Sequence, residues 1–586
     1  MKKDKLKIGV LIDNFEISSW AFTMLKQISE SNYAEIVFVA KNNSKPAINN
    51  NIISKIKSNK SRIIQIFIRK ILQKIYTRLI ERNTYLPDSL KKVSCINIIG
   101  NIPVLNISPE KKQHSDYFID SDIDKIKKYK PDILIRCGFR ILRGKILTAA
   151  KYGIWSYHHG DNTMFRGGPP AFWESMENYP VTGTTLQILT EDLDNGPVLY
   201  KSFSSTDTMS ITDNKNNIYI KSISFMTRKI KELYTTGEDV FFSKLFEANI
   251  HPVFYSEKFY KEPSNRKLFH LIIKKLIQKY KLTLNRLFFI EQWILLFDLN
   301  NDISTSLWRY KKIIPPKTLE WADPFVLYKD DYYYIFIEEY ENKSKKGHIS
   351  MITMDHNGNY TLPVVILTKP YHLSYPFIFN HEECYYMIPE SANNETIELY
   401  KCVDFPLKWE FQMNLMEGVR ALDTTLLLYE NKWWMFTNIA ENIGSSAWDE
   451  LYLFSSSELM CSNWKPHPLN PIISDCRKSR PAGAIFSYND TLYRPSQNSS
   501  VRYGYGFNIN KVDTITEEIY NETLVSLIAP NWNNNILATH TYNKSGHLNI
   551  IDALYKRPRF NHTYKLIKVV ILLCITTFIY LILVKG

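Results

Sequence analysis

The sequence predicts a chain of several parts: an α/β domain with a parallel sheet, an all-β five-bladed propeller, and a C-terminal transmembrane helix. Three observations carry this. Apolar strand-like runs alternate with helical patterns through the first 240 residues. From Trp308 the helical periodicity fades, and a motif of apolar run, polar turn and aromatic strand recurs. Its spacing, roughly fifty to sixty residues, is that of one four-stranded blade. Finally, Val569 to Val584 (VVILLCITTFIYLILV) carry no charge. The length of 586 residues suits about three to five domain-sized units.

The N-terminal apolar run in MKKDKLKIGVLID is too short for a signal peptide and reads as a first strand. Further strands are expected at Glu35–Ala40 and Asp132–Arg136, with helices between them, so residues 1–240 form βαβ units. No G-x-G-x-x-G follows the first strand, which removes the dinucleotide fingerprint. A basic helical insertion is placed at 52–85. Ile64, Ile68, Ile71, Ile75 and Leu79 form its stripe, with Arg62, Arg69, Lys70, Lys74, Arg78 and Arg82 interleaved. It reads as a docked helix with a solvated face, or alternatively as a membrane-surface contact. Residues 241–290 read as a basic helical linker centred on Arg266–Arg286.

The propeller is placed at 291–555. Four blade segments begin at Ala322, Ser374, Leu422 and Arg480, with a weaker fifth at Ile536. A β-sandwich with ordinary hairpins is the alternative, and the regular spacing favours the propeller. The apolar tail at 566–584 predicts a single-pass anchor. Its uncharged part, Val569 to Val584, rises about 24 Å against a hydrocarbon core of about 30 Å, and Leu566 and Ile567 extend it with Lys568 snorkelling. Lys556, Arg557, Arg559, Lys565 and Lys568 precede it and only Lys585 follows, which keeps the domains on the cytoplasmic side.

Composition narrows the function classes. Hydrophobic residues at 45% and charged residues at 23% exclude wholesale disorder, and 20 glycines exclude a collagen-like chain. A net charge of +14 favours anionic partners, whether phosphorylated metabolites, nucleic acid or an anionic membrane surface, with a Lys-, Asn- and Ile-biased composition as the alternative. Seven cysteines, an odd number without a C-x-x-C pair, point to a reducing compartment and to no metal site.

The densest cluster of reactive residue types runs from Gly153 to Gly196 (GIWSYHHGDNTMFRGGPPAFWESMENYPVTGTTLQILTEDLDNG). A histidine and a carboxylate on neighbouring strand ends suit acyl transfer to an amine. One group takes the amine's proton, and hydrogen-bond donors hold the developing oxyanion. On residue types alone, a structural His–Asp pair remains the alternative.

The stretch resembles the catalytic core of the formyltransferase family, which includes methionyl-tRNA formyltransferase and the sugar N-formyltransferases. His158 falls on the family's histidine and Arg166-Gly167 on its loop. Thr182-Gly183-Thr184-Thr185 matches its strand, and Leu193-Asp194-Asn195-Gly196 its acidic turn. Asp132 to Leu147 resembles the folate-side strand and loop. The resemblance covers roughly residues 5–235 and implies a Rossmann-like fold. It also implies catalytic His158 and Asp194, with 10-formyltetrahydrofolate as formyl donor held by Cys137, Gly138, Phe139, Arg166 and Gly167. The chain departs at two places. Ser156 stands where the family has a catalytic asparagine, and His159-Gly160-Asp161-Asn162-Thr163 replaces a Leu-Leu-Pro loop, so Asn162 is the candidate for the missing amide.

Trp321-Ala322-Asp323-Pro324 opening a blade resembles the propellers of arabinanase- and furanosidase-type glycosidases. It is closer to the N-terminal region of glucosamine inositolphosphorylceramide transferases. That resemblance, over roughly 290–555, implies a carbohydrate funnel with Asp323, Asp423 and Glu390. Together the readings imply a membrane-anchored formyltransferase acting on an amino sugar of a nucleotide- or lipid-linked glycan precursor. The rivals are a glycan-binding scaffold with a degenerate site, and a propeller glycosidase or glycosyl-transfer enzyme. Nucleic acid is not expected as a partner, since nothing after residue 240 reads as a tRNA-binding barrel.

Overall fold

The computed structural model describes residues 3–44, 60–81, 88–257, 259–303 and 306–560. They fall into two compact units. The first comprises Met1–Leu276 with Ala440–Asp449 and Ser474–Cys476, and the second comprises Ile277–Ile439, Glu450–Ile473 and the chain from Arg477.

The first unit is built on seven strands: β1 (Leu6–Ile12), β2 (Ala34–Asn42), β3 (Val104–Ile107), β4 (Ile133–Arg136), β5 (Ile154–His158), β6 (Val181–Ile188) and β7 (Val198–Ser205). Their order in the sheet is β7-β6-β5-β4-β1-β2-β3. Strands β1 to β5 pair in parallel, and β6 runs antiparallel to both of its neighbours. Ile8, Val10, Leu11 and Ile12 are all buried, because a parallel strand covered on both faces needs a continuous apolar run rather than alternation. Helices α1 (Ser19–Ser29) and α4 (Ile223–Thr236) cover one face through Met24, Leu25, Ile28, Phe225, Met226 and Ile230. Helix α3 (Asp120–Lys127) covers the other with Ile123 and Ile126.

From β1 the sheet grows outward through β2 and β3, then resumes with β4 on the opposite side of β1. The carboxyl ends of β1 and β4 therefore flank a switch point, where open α/β sheets leave a crevice for ligands. Gly138, just past β4, lets the chain turn there. A Cβ at this position would stand 2.3 Å from the Asp13 nitrogen.

The second unit is a ring of five antiparallel sheets. Strands β9 (Leu319–Lys329) and β10 (Tyr332–Glu341) open the first blade. Strands β11 (Ser374–His381) and β12 (Cys384–Ser391) open the second, β13 (Ala421–Tyr429) and β14 (Lys432–Ile439) the third, and Phe486–Tyr488 with Thr491–Asn498 the fourth. Each of these hairpins turns on two residues with positive φ: Asp330-Asp331, Glu382-Glu383, Glu430-Asn431 and Asn489-Asp490. That is the primed turn whose twist matches the flanking strands. The fifth sheet joins the two ends of the ring. Strand β8 (Phe289–Leu299) pairs along its length with β15 (Leu548–Pro558), Phe289 opposite Pro558 and Leu299 opposite Leu548.

Two long helices, α2 (Lys60–Leu79) and α5 (Asn265–Phe288), contain no aspartate or glutamate. Both carry exposed apolar residues, Phe67 and Ile71 on one and Phe269 and Ile273 on the other. Neither is apolar enough to cross a bilayer, because lysine or arginine recurs on nearly every turn. Among the described residues no helix is long and apolar enough to cross a membrane. This corrects the expected C-terminal transmembrane helix and the single-pass membrane localisation drawn from it. The apolar run at 566–584 that carried both lies outside the described residues.

Trp155 on β5 is fully buried, stacked 6.0 Å from Phe241, and donates its indole N–H to the Tyr152 carbonyl at 3.0 Å. Trp155→Ala is expected to cost the first unit about 3–5 kcal/mol, read as a lowered denaturation midpoint of its unfolding transition.

Candidate functional site

Alternation along β5 sorts its side chains. Trp155 and Tyr157 face the cluster under α1 and α4, and Ile154 faces the cluster on the α3 side. Ser156 and His158 share the Ile154 face by the period of two. The His158 ring is held at both nitrogens. Its Nε2 lies 3.0 Å from the Phe165 carbonyl, and its Nδ1 lies 3.4 Å from Asp194 Oδ2. A carbonyl only accepts, so Nε2 carries a hydrogen and Nδ1 is the nitrogen turned toward the carboxylate.

Asp194 sits in the turn after β6 with φ +54°. Its Oδ2 accepts the Gly167 N–H at 3.2 Å, and its Oδ1 lies 3.5 Å from Gln187 Nε2. Gly167 has φ +98° and touches Tyr260, whose carbonyl oxygen would stand 2.3 Å from an added Cβ. Ser156 is buried, and its hydroxyl accepts a hydrogen bond from Arg136 Nη1 at 3.2 Å.

Around the histidine curls the segment 159–166. Asn162 is buried and its Oδ1 has no hydrogen-bond partner among the described residues, while its backbone carbonyl accepts from Arg166 Nε at 2.7 Å. Arg166 also reaches Asn195 Oδ1 at 2.9 Å and lies 4.5 Å from the Tyr255 ring centre. Burial raises the pKa of Asp161, but Lys201 at 2.6 Å and the Thr163 donors outweigh it and hold the carboxyl below the usual value.

The residues expected to hold the formyl donor separate. Arg166 and Gly167 line the cluster just described. Cys137 packs against the core under α1, and burial pushes its thiol up to about 12. Phe139, at φ +64°, inserts into the opposite core and contacts Phe118. Their backbone does the positioning: the Phe139 N–H binds Asp13 Oδ1 at 2.8 Å, and its carbonyl accepts from Arg136 Nη2 at 3.1 Å. Arg136 escaped the sequence reading. Its signal was an arginine closing the otherwise apolar strand Ile133-Leu134-Ile135.

In the propeller, a β-bulge interrupts the first strand of three blades, between Ala322 and Phe325, Ser374 and Phe377, and Leu422 and Thr425. It places Asp323, Tyr375 and Asp423 at φ +50°, +42° and +50°, turning side chains out of the strand's alternation. Asp323 Oδ1 accepts from Thr541 Oγ1 at 2.9 Å and lies 3.5 Å from His540 Nε2. Burial, against the pull of His540, lifts Asp323 to about 6. Asp423 and Glu390 both receive Arg480. The guanidinium contacts both Asp423 oxygens, one at 3.0 Å, and reaches Glu390 at 3.2 Å. Burial and the neighbouring Asp423 push Glu390 well above the carboxylate range.

Three participants were missed in the sequence. These are Arg480, Glu338 (3.4 Å from His372 and raised by burial) and the His540–Asp552 pair at 2.6 Å. Asp323, His540 and Asp552 offer three ligand atoms within 4.8 Å of one another, a set able to hold a cation.

Comparison with known proteins adds two likenesses. A family model described as glucosamine inositolphosphorylceramide transferase 1, N-terminal, matches residues 313–553. The protein of that name from Oryza sativa subsp. japonica is 30% identical over 209 residues, 35% of this chain and 28% of the relative. Methionyl-tRNA formyltransferase from Clostridium beijerinckii is 27% identical over 142 residues, 22% of this chain and 44% of the relative. The N-terminal region is formyltransferase-like, and the propeller is like the transferase's N-terminal domain. The catalytic domain of a Coprinopsis cinerea GH62 α-L-arabinofuranosidase superposes with a TM-score of 0.32 at 11% identity, covering 45% of this chain and 97% of that one. The chain thus spans less than a third of the glucosamine transferase's length and less than half of the formyltransferase's.

His159 gives a test of this geometry that needs no substrate. It stacks on Tyr219 at 3.8 Å beside Tyr157 and Trp20, and its Nε2 meets Ser222 Oγ at 3.1 Å. Burial pushes its pKa down to about 3. The unfolded imidazole protonates near 6.5, so below that pH the unfolded state binds the extra proton and stability falls. The slope from this group is about 1.4 kcal/mol per pH unit. Denaturant unfolding at pH 7, 6 and 5 should show this slope, and His159→Phe should flatten it.

Proposed function

We propose that the α/β unit transfers a formyl group from 10-formyltetrahydrofolate to the amine of an amino sugar. The acceptor is a nucleotide- or lipid-linked glycan precursor, and the propeller binds the glycan. The observation that carries the reading is His158 fixed at Nε2 by Phe165 with Nδ1 facing Asp194. The residues present suit an acyl group and an incoming amine. Ser156 has a hydroxyl hydrogen without an acceptor among the described residues, and the buried Asn162 Oδ1 is unpartnered. Bound, the folate would supply a carbonyl carbon open to attack, held by Arg166, Gly167 and the backbone of 137–139.

In this reading His158 takes the amine's proton at Nδ1, 3.4 Å from the Asp194 carboxylate, which stabilises the imidazolium. Gly167 and Gln187 pin Asp194 by its two oxygens, and the Phe165 carbonyl stops the ring from flipping. For the propeller, Arg480 bridging Asp423 and Glu390 favours binding over hydrolysis. Glycoside cleavage needs two carboxyl groups free to act on the bond, and these two hold a guanidinium. Axial acids suit sugar hydroxyls, which donate to them.

Incubating the purified full chain with 10-formyltetrahydrofolate and a panel of nucleotide-linked amino sugars should release tetrahydrofolate and yield an N-formyl sugar. No folate turnover with any amine, together with no folate binding, would sink the proposal. Asp194→Asn should keep the fold by circular dichroism and lose about 10²–10⁴ in kcat, because the imidazolium loses its counter-charge. His159→Ala should lower stability while changing turnover per folded molecule far less.

A further inference from the structure

We infer that Arg136 and Ser156 form an oxyanion-binding site at the switch-point crevice between β1 and β4, taking a small carboxylate or the oxygen of an acyl group under transfer. Its catalytic use rests on the formyl-transfer reading, whereas its existence as an anion site does not.

Three observations converge. First, the Arg136 guanidinium lacks a counter-ion at contact distance. Its three hydrogen bonds go to neutral acceptors: the Arg140 carbonyl from Nε at 3.2 Å, Ser156 Oγ from Nη1 at 3.2 Å and the Phe139 carbonyl from Nη2 at 3.1 Å. Among the described residues no carboxylate lies within 4.0 Å of it. The nearest acids are engaged elsewhere. Asp13 accepts from Phe139 and Asn42, Asp116 from Arg140, and Asp194 from Gly167 beside His158. Arg494, by contrast, donates two hydrogen bonds to Glu522, at 2.7 and 2.8 Å. Taking a guanidinium out of water is unfavourable, and burial lowers the pKa of Arg136 even against the more distant charges of Asp13, Asp194 and Asp116. An anionic ligand would remove that penalty.

Second, two N–H groups of the guanidinium remain unused, one on each terminal nitrogen, since each donates only one bond. The residue keeps part of its surface exposed. Third, Ser156 accepts from Arg136, which aims the hydroxyl's own hydrogen away from the guanidinium. That hydrogen has no acceptor among the described residues, in a side chain only 2% exposed. A positive fork and a free O–H therefore stand together, one strand period from His158.

As an amine nitrogen bonds to the formyl carbon, the carbonyl π pair moves onto oxygen. The pair returns when the bond from that carbon to the donor nitrogen breaks; that bond's electron pair stays on the donor nitrogen, which takes the proton that left the amine through His158 Nδ1. The Arg136–Ser156 pair is placed to hold the charge between those two events. Here a guanidinium backing a hydroxyl does what a single amide could do.

Sodium formate is the probe for binding. Titration calorimetry on the full chain should show saturable formate binding. Arg136→Gln should weaken it at least tenfold, Ser156→Ala should weaken it less, and Arg136→Lys should keep most of it. Circular dichroism and thermal melts check that each variant folds. In the transfer assay Arg136→Gln should lower kcat by about 10²–10³ with little change in acceptor KM, the size of losing an oxyanion donor. Adding Ser156→Asn to Arg136→Gln should recover part of that loss by returning an amide. No formate binding, or binding indifferent to Arg136, overturns the site. Arg136-dependent formate binding in a wild-type chain that transfers no formyl group overturns the formyl-transfer reading and leaves the anion site standing. Formate binding lost with kcat intact overturns the catalytic use alone.

Discussion

Strand alternation along Ile154–His158 is the constraint on which the α/β unit's chemistry depends. One residue of slip would carry Ser156 and His158 into the apolar cluster under α1 and deliver Tyr157 and His159 to the crevice. The register is fixed from both sides. Ile154 and Trp155 pair with Leu134 and Ile135 of β4, and Ser156 and His158 pair with Gln187 and Thr185 of β6. The same pairing brings Gln187 to the strand segment from which it meets Asp194. Two adjacent histidines thus acquire opposite fates. One is a caged, neutral stacking element, and the other is a ring whose Nδ1 faces a carboxylate.

Much of the local structure was legible because it follows from local chemistry. The runs at Lys7–Ile12 and Glu35–Ala40 are apolar enough to be strands buried on both faces, and they are β1 and β2. Asp330-Asp331, Glu382-Glu383, Glu430-Asn431 and Asn489-Asp490 sit between aromatic runs and form tight turns because short polar or charged pairs tolerate positive φ there. What was not legible depends on closure. Asp552 meets the Asp323 N–H across 229 positions, and Arg480 reaches Asp423 across 57. No periodicity encodes such meetings; they exist only once the ring is complete. Arg136 was hidden differently. It ends an apolar strand as many solvent-facing arginines do, and only the fold shows that its end of the sheet is the crevice. For Cys137 and Phe139, expected by resemblance to hold the formyl donor, only the fold shows that their side chains pack against the two cores.

The propeller axis shows how like charges are tolerated at close quarters. Burial raises the proton affinity of Asp323, Glu338 and Glu390, and the neighbouring carboxylates, Asp423 among them, add to the effect. Arg480 and His540 supply the opposing charge from later blades. The bulge in each leading strand matters to this balance. It turns Asp323, Tyr375 and Asp423 out of the alternation, so residues of three blades contribute to one hydrogen-bonded set: Tyr375 donates its N–H to Asp323 and exchanges a hydroxyl bond with Thr425. Sheet twist and bulge geometry thereby set the electrostatics, not sequence composition.

The fifth sheet has a consequence for how such a ring can travel between proteins. Because β8 and β15 pair from Phe289–Pro558 to Leu299–Leu548, the polypeptide enters and leaves the ring as antiparallel neighbours on a single blade. The ring is a clasp whose two free ends lie side by side. Such a module can be spliced into a host chain as a loop would be, with no need for the host to span the ring's diameter. Gene fusion can therefore exchange what precedes or follows the ring while leaving its closure, and the acids gathered at its axis, undisturbed.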